Sequence, residues 1–441
     1  MNVVIAGGGI AGCVTALGLR RLGYEVLLVH KPRPFEAYEG FSERTVDALR
    51  RVGCRHALAA VGPLSRRSSV WNGVAREVNA EYLTFRPRFD EALLRDACEH
   101  GVEVMAGSLV GAFEEEGGTL VGKVKTAAGE RTVRGDAAVD ARGRFTPYAK
   151  AYANGPQSYA LLQKLDIPGD AAPRTTLHAV GDGWVWQAAI GGGTGYLQMA
   201  CSRETAQKVR RFDDLLPLFR EHYGDLWVLE SARPKGELIR RDAYGKLHDA
   251  IVKGRLFHVG DAASSVDPLS GNGVFQALSM ATVLPCVIHT VLTRNESDSG
   301  TAATFYRERV RDLFRRFGRT GRDFYRAETR FDGPFWDERR QWPEEEVGDG
   351  GIRIEERATI IYPFVEKQKV VVTPENPNGV AFVERVALVP VVERLARCAE
   401  AERVPAFRAL SKGMDAATSA RLLRWLHEHG MVGAPFSAPV R

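Results

Sequence analysis

Two glycine-rich stretches hold the residues of this 441-residue chain whose types and spacing suit chemistry. The first is GGGIAG at 7–12, set between an apolar run at 3–6 and a helical pattern at 10–22. A second apolar run follows at 24–29. Strand, tight turn, helix and strand in that order, with glycines at 7, 9 and 12, make a dinucleotide-binding unit. Gly7 permits the turn. Gly9 lets backbone approach a pyrophosphate, which the N–H groups of Ile10 and Ala11 then meet at the helix start. Gly12 lets helix pack closely on strand. The acid expected about 20 residues on is replaced by His30, followed by Lys31 and Arg33. Two readings stay open at this point. His30 hydrogen-bonds the ribose diol of an FAD, or the basic cluster meets the 2′-phosphate of an NADP.

The second stretch is GDAASSVDPLSGNGV at 260–274. An apolar run at 256–259 ends in Gly260-Asp261, and a helical pattern begins near 275. A carboxylate at a strand end accepts hydrogen bonds from ligand hydroxyls. Glycines in such a loop bring backbone N–H groups near a flat ring, where they stabilise negative charge. Asp267, ahead of Pro268, is either a turn acid or a base; a base must reach its proton by hydrogen bond.

Taken together, the N-terminal glycines, the distant Gly-Asp and the Pro-Gly loop resemble the FAD-dependent aromatic hydroxylases and flavin-dependent halogenases, which share one fold. The resemblance spans about residues 1–330. It implies that Asp261 binds the ribityl chain. It also implies that Gly260, Pro268, Gly271, Asn272, Gly273 and Val274 line the isoalloxazine and pyrophosphate, so the dinucleotide is FAD and not NADP. Arg44 matches a family arginine near the cofactor. DARGR at 140–144 resembles the family's middle motif, but Arg142 stands where Thr or Asp is usual, which leaves only Gly143 assignable.

The implied fold is α/β: an FAD-binding Rossmann-like domain of the para-hydroxybenzoate hydroxylase and halogenase type, with an inserted antiparallel-sheet substrate domain. FAD-binding parts fall at about 1–65, 86–155 and 245–330, and substrate-domain parts at about 66–85 and 156–244. Helices are expected at 89–100, 275–292 and 305–325, and sheet strands at 177–203. Residues 331–350, rich in acids, Pro and Gly, read as a linker. Residues 351–441 read as a small C-terminal domain, strand-like at 352–372 and helical at 380–399 and 404–429. Its last part looks like the second half of a winged helix.

Family halogenases need a lysine after the first βαβ unit, whose ammonium presents hypohalous acid, and a W-x-W-x-I-P stretch. Here no lysine lies between Lys31 and Lys123, and WVWQAA at 184–189 keeps both tryptophans without Ile-Pro. The resemblance therefore points to a monooxygenase. In that chemistry reduced FAD and O₂ form an electrophilic C4a-hydroperoxide that an indole or phenol attacks, while the protein supplies a dry, oriented pocket. No second strand–GxGxxG–helix unit is present, so electrons come from NAD(P)H bound transiently or from an external flavin reductase. Trp184 and Trp186 share one face of a strand, as core or as the wall of the substrate pocket.

GDAA…DPLSGxG, RPRFDEAL at 86–93 and DGWxW resemble most the flavoproteins that oxygenate a peptidyl tryptophan during quinone cofactor biogenesis. Those serving the small subunit of a quinohemoprotein amine dehydrogenase stand nearest. The implied partner is a protein or peptide carrying the target tryptophan. Residues 306–330 hold nine arginines against four acids, either a solvated helix or a face for an acidic polypeptide. No nucleic acid is expected, because no binding motif accompanies that charge and acids populate the last helix. Six scattered cysteines without a CxxC pair argue against zinc and disulfides and fit a cytoplasmic setting. Histidines lack ligand spacing, so no metal is expected. No apolar run looks long enough for a membrane.

Overall fold

The structure, a computed structural model, describes residues 1–33, 35–147, 151–222, 226–229, 232–344 and 351–433. Its centre is a parallel sheet built on the strand Asn2–Ala6, whose last four residues are buried. Glu25–His30 and then Glu103–Ala106 lie on one side of it. Ala137–Asp140 and then Leu256–His258 lie on the other, and Val252–Lys253 forms an antiparallel edge. Ala137–Asp140 is buried at every residue, as a parallel strand covered on both faces should be. The order of the strands reverses beside Asn2–Ala6, and ligands of such sheets bind at that crevice.

Helix Ile10–Arg21 packs on this sheet, with Gly9 as its N-cap and no side-chain cap. Helix Gly273–Thr293 lies against it at Gly18, where an added Cβ would come within 2.4 Å of Pro285. That second helix corrects one expectation. By length and apolarity it is sufficient to cross a membrane, and its apolarity is explained by its place in the core. A three-stranded meander, Ser108–Glu116, Thr119–Thr126 and Gly129–Gly135, closes the other sheet face. Leu109, Phe113, Leu120 and Val124 there meet Val4, Val29 and Ala138.

An eight-stranded sheet forms the second layer, with Tyr38–Phe41 and Arg233–Asp242 at its edges. The expected strands at 177–203 are Arg174–Val180, Gly183–Gly191 and Thr194–Cys201. Period-two alternation sorts their side chains. Val185, Leu197 and Met199 face a core built with Phe212, Leu215 and Phe219. Trp184, Trp186, Ala188 and Tyr196 lie on the opposite face.

Several boundaries move. The helix expected at 89–100 is Arg86–Glu99, because Pro87 suits a first helical turn. The helix expected at 305–325 belongs to a longer one, Glu296–Ala327. Residues 382–387 form a hairpin, and the helix expected from 380 begins at Leu388. The linker expected at 331–350 is corrected in its described part; 345–350 lie outside the described residues. Pro334–Gln341 is a helix with Phe335, Trp336 and Arg339 buried. Its run Asp337-Glu338-Arg339-Arg340 reads as linker, while Phe335, Trp336 and Arg339 turn into the core.

The chain divides into two compact units, 1–293 with 310–344, and 294–309 with 345–441. Residues 331–344 therefore belong to the first unit, and the start of the long helix groups with the second. In the second unit the strands Arg353–Ile361, Phe364–Thr373 and Asn376–Val380 make an antiparallel sheet. The helices Leu388–Ala396, Glu400–Leu410 and Ala416–Glu428 follow, around Val371, Phe407, Leu422 and Leu426. Its sheet comes before its helices, not after them as a wing would.

Trp336 is fully enclosed by Trp71, Tyr325, Phe331 and Phe335, and its Nε1 donates to the Gly181 carbonyl at 2.9 Å. Trp336→Ala is expected to destabilise the first unit by about 3–5 kcal/mol, read as a lowered midpoint in thermal unfolding. A linker tryptophan would leave that midpoint in place.

Candidate functional site

Register brings the motif residues together. Ala6 pairs with Asp140, and Asp140 with His258, so the loops after three parallel strands emerge side by side. Gly7, at φ +116°, leaves no room for a side chain: a Cβ would sit 2.3 Å from the Ala141 carbonyl oxygen. At Gly12 a Cβ would sit 1.8 Å from the Gly7 oxygen. Gly260, at φ +64°, faces Ala11, whose Cβ would lie 2.8 Å from an added methyl. Ile10 and Ala11 have buried side chains, so only their backbone can meet a ligand. Around Gly9, Gly271 and Gly273 there is open space, with nothing within 4 Å of an added Cβ. Asn272 and Val274 are half-buried beside them. Two helix N-termini therefore offer unpartnered first-turn N–H groups to one cradle.

Asp261 stands at the floor of this cradle. Its side chain keeps 44% of its surface open, and Arg144 Nε lies 3.6 Å from Oδ2. Packing around the recess desolvates the carboxyl and pushes it above the usual range, while Arg144 pulls it back. Arg144 Nη1 is buried without a hydrogen-bond partner. Glu39 and Arg86 approach the same carboxyl closely enough to act on its charge. Arg86 is buried between Glu39, at 2.6 Å, and Asp90, at 2.7 Å. Burial pushes the Glu39 carboxyl up, but Arg86 and Arg33 outweigh it and hold the carboxyl below the usual range. Sequence reasoning missed Arg86 and Arg144 as site residues. The signal for Arg86 was its spacing of four from Asp90 at a proline-led helix start.

The basic cluster after the second strand resolves into separate roles. Burial lowers the His30 imidazole below its ordinary value, and its Nδ1 is buried without a partner. A neutral ring suits a ribose hydroxyl better than a phosphate. Arg33 is paired with Asp90 at 3.5 Å. Lys31 and Arg44 are exposed, Arg44 on helix Glu43–Val52. Arg142, the departure from the middle motif, grips buried Asp140 at 2.7 Å and donates to the Gly111 carbonyl at 2.7 Å. It ties the strand end to the meander, which explains an arginine at that place. The cradle, the Asp261 carboxylate, the buried Nη1 of Arg144 and the His30 ring fit the phosphate, ribityl and ribose parts of FAD.

Beyond the cradle, Asp267 caps the turn Pro268–Ser270 by accepting from the Leu269 N–H at 2.9 Å. Tyr325 Oη lies 3.2 Å from both of its carboxylate oxygens. Burial pushes this carboxyl above the usual range, against the Leu269 N–H, Arg339 and Tyr325, which favour the charged form. Asp267, Arg322, Tyr325, Arg339 and Trp342 line a recess floored by glycines. Pro268 is exposed. The expected tryptophan pair splits. Trp184 is 3% exposed among Tyr325, Phe335 and Trp336, and its Nε1 donates to Tyr325 at 3.1 Å. It is core packing, while Trp186 is half-buried between that cluster and one around Tyr196. Among the described residues no group of three or more His, Cys, Asp or Glu is placed to hold a metal.

The family model described as tryptophan halogenase matches residues 41–350. A solved structure, "Peptidyl tryptophan dihydroxylase QhpG essential for tryptophylquinone cofactor biogenesis", is similar at 34% identity and TM-score 0.79. That likeness covers 98% of this chain and 99% of the other. A tryptophan 2-halogenase of Chondromyces crocatus is 25% identical over 79% of this chain and 72% of its own length. A kynurenine 3-monooxygenase of Salinispora tropica is 30% identical over 69% of this chain and 75% of its own length.

Asp261→Asn is expected to weaken FAD binding about tenfold, measured by quenching of flavin fluorescence. Unchanged affinity would remove Asp261 from the ribityl site.

Proposed function

The chain belongs to the tryptophan halogenase family of flavin-dependent enzymes, and we propose that within it the protein hydroxylates an indole ring as an FAD-dependent monooxygenase, its substrate a peptidyl tryptophan. The observation that carries this reading is the run 32–122 without a lysine. That run forms the strands Tyr38–Phe41, Leu64–Trp71 and Val74–Phe85 and the helix Arg86–Glu99. The ammonium that halogenases of this fold use is missing from all of it. Arg67, a cation on one of these strands, faces Glu81 at 3.8 Å. The likeness over nearly the whole of both chains to a peptidyl tryptophan dihydroxylase supports the protein-bound substrate.

FAD, once reduced, supplies the activated oxygen from O₂, with electrons from NAD(P)H or a separate reductase. The chain does the rest. The helix starts at Ile10 and Gly273, with Asp261 and Arg144, would hold the dinucleotide. Glycines at 271 and 273, with open space around them, would leave backbone donors free to meet its ring. Asp267 is the base: as oxygen bonds to the indole carbon, the displaced proton passes to its carboxylate. The other oxygen atom leaves as water. Because burial raises the Asp267 carboxyl, the base is fully ionised only above the ordinary carboxylate range. Oxygenation therefore falls with falling pH, and at a higher pH than an exposed aspartate would give. A small aromatic substrate is the second reading, favoured by the likeness to a kynurenine 3-monooxygenase.

The test is a single turnover with reduced FAD and O₂, using the small subunit of a quinohemoprotein amine dehydrogenase as probe. The expected product is that subunit heavier by one oxygen atom, with free phenols and kynurenine untouched. Turnover of the free aromatics alone would select the second reading. Asp267→Asn is expected to slow the oxygenation about 10²–10⁴-fold while FAD stays bound; an unslowed variant would remove Asp267 as the base.

A further inference from the structure

Three elements far apart in sequence converge on Asp267. The carboxylate sits in the loop before helix Gly273–Thr293. Tyr325 is near the end of helix Glu296–Ala327, and Trp184 is on strand Gly183–Gly191. Trp184 Nε1 lies 3.1 Å from Tyr325 Oη, which lies 3.2 Å from each Asp267 oxygen. An indole N–H can only donate. Tyr325 must therefore accept from Trp184, and its one proton is left to point at Asp267.

Resting on the reading of Asp267 as the base, we propose that Tyr325 is the positioning residue of that base, holding its carboxylate through a hydrogen bond whose direction Trp184 fixes. The Leu269 N–H also donates to Oδ1, at 2.9 Å. Among the described residues Oδ2 accepts only from Tyr325, which leaves it capacity for a substrate proton. The tyrosine ring cannot swing away. Phe335 and Trp336 meet it edge-on at 6.0 and 5.8 Å. The Arg339 guanidinium lies 6.0 Å from its centroid. Burial, and then Asp267, push the Tyr325 phenol far up, so it stays a donor at every working pH. The charged groups acting on Asp267 are Arg339 and Arg144, and Arg322 lines the same recess.

A donor aimed at a carboxylate favours its charged form, so losing it raises the carboxyl further. Tyr325→Phe keeps the ring and removes only the hydroxyl. In the flavin-loaded enzyme, the single-turnover rate is followed against pH and scaled to each variant's own alkaline plateau. The acid limb is expected to move up by about one pH unit in Tyr325→Phe. Trp184→Phe frees the hydroxyl to turn, and a smaller shift in the same direction is expected. A merely structural role would lower the rate evenly at all pH values, and a stationary limb in both variants overturns the inference. Should Tyr325→Phe fail to bind flavin, Trp184→Phe decides alone by the same readout. Asp267→Asn separates the two claims. If it oxygenates like the wild type, the base itself is misassigned. If it is inactive while the limb of Tyr325→Phe stays put, only the role of Tyr325 falls.

Discussion

The site depends on backbone meeting backbone without side chains between. Gly12 lies against the Gly7 carbonyl, Gly7 against the Ala141 carbonyl, and Gly260 against Ala11. These contacts set the spacing of three strand ends and two helix starts. A methyl at Gly7 or Gly12 would have to pass through a carbonyl, which no rotamer relieves. With the spacing set, Asp261 and Arg144 fall beside the cradle, and the N–H groups at Ile10 and Gly273 open into it.

A second constraint joins the large sheet to the cofactor loop. Trp184 on the sheet, Tyr325 on the long helix and the helix Pro334–Gln341 build one aromatic core, and Leu269 of the loop belongs to it. The loop that carries Asp267 is thereby braced against the large sheet. Arg339 strengthens the brace. It is 2% exposed and donates to the carbonyls of Phe335 and Gln157, each at 2.6 Å, with its cation stacked 3.8 Å from Phe335. Buried charge this well bonded holds one arrangement in place.

What the sequence revealed follows the range of the interactions. The βαβ unit and the Gly-Asp strand end were legible because turn glycines and apolar runs are local signals. FAD over NADP was legible only through resemblance; the structure adds a buried His30 Nδ1 without a partner and an Arg33 paired with Asp90. Tyr325 and Arg339 were not legible. Tyr325 is 58 residues from Asp267 and 141 from Trp184, and nothing near it in sequence marks the meeting. Arg339 lay in a stretch whose polar face reads as linker. Trp184 and Trp186 looked equivalent by alternation. A helix covering one end of the strand separates them, and alternation carries no information about what lies above a sheet face.

The proposed reaction is oxygenation where the family name says halogenation. The most direct measurement is one turnover of the reduced, FAD-loaded protein with heavy-isotope O₂ and excess bromide, followed by mass analysis of the tryptophan-bearing subunit. The heavy oxygen is expected on the indole, and bromine is not. A brominated indole, with no heavy oxygen in it, would contradict the proposed reaction.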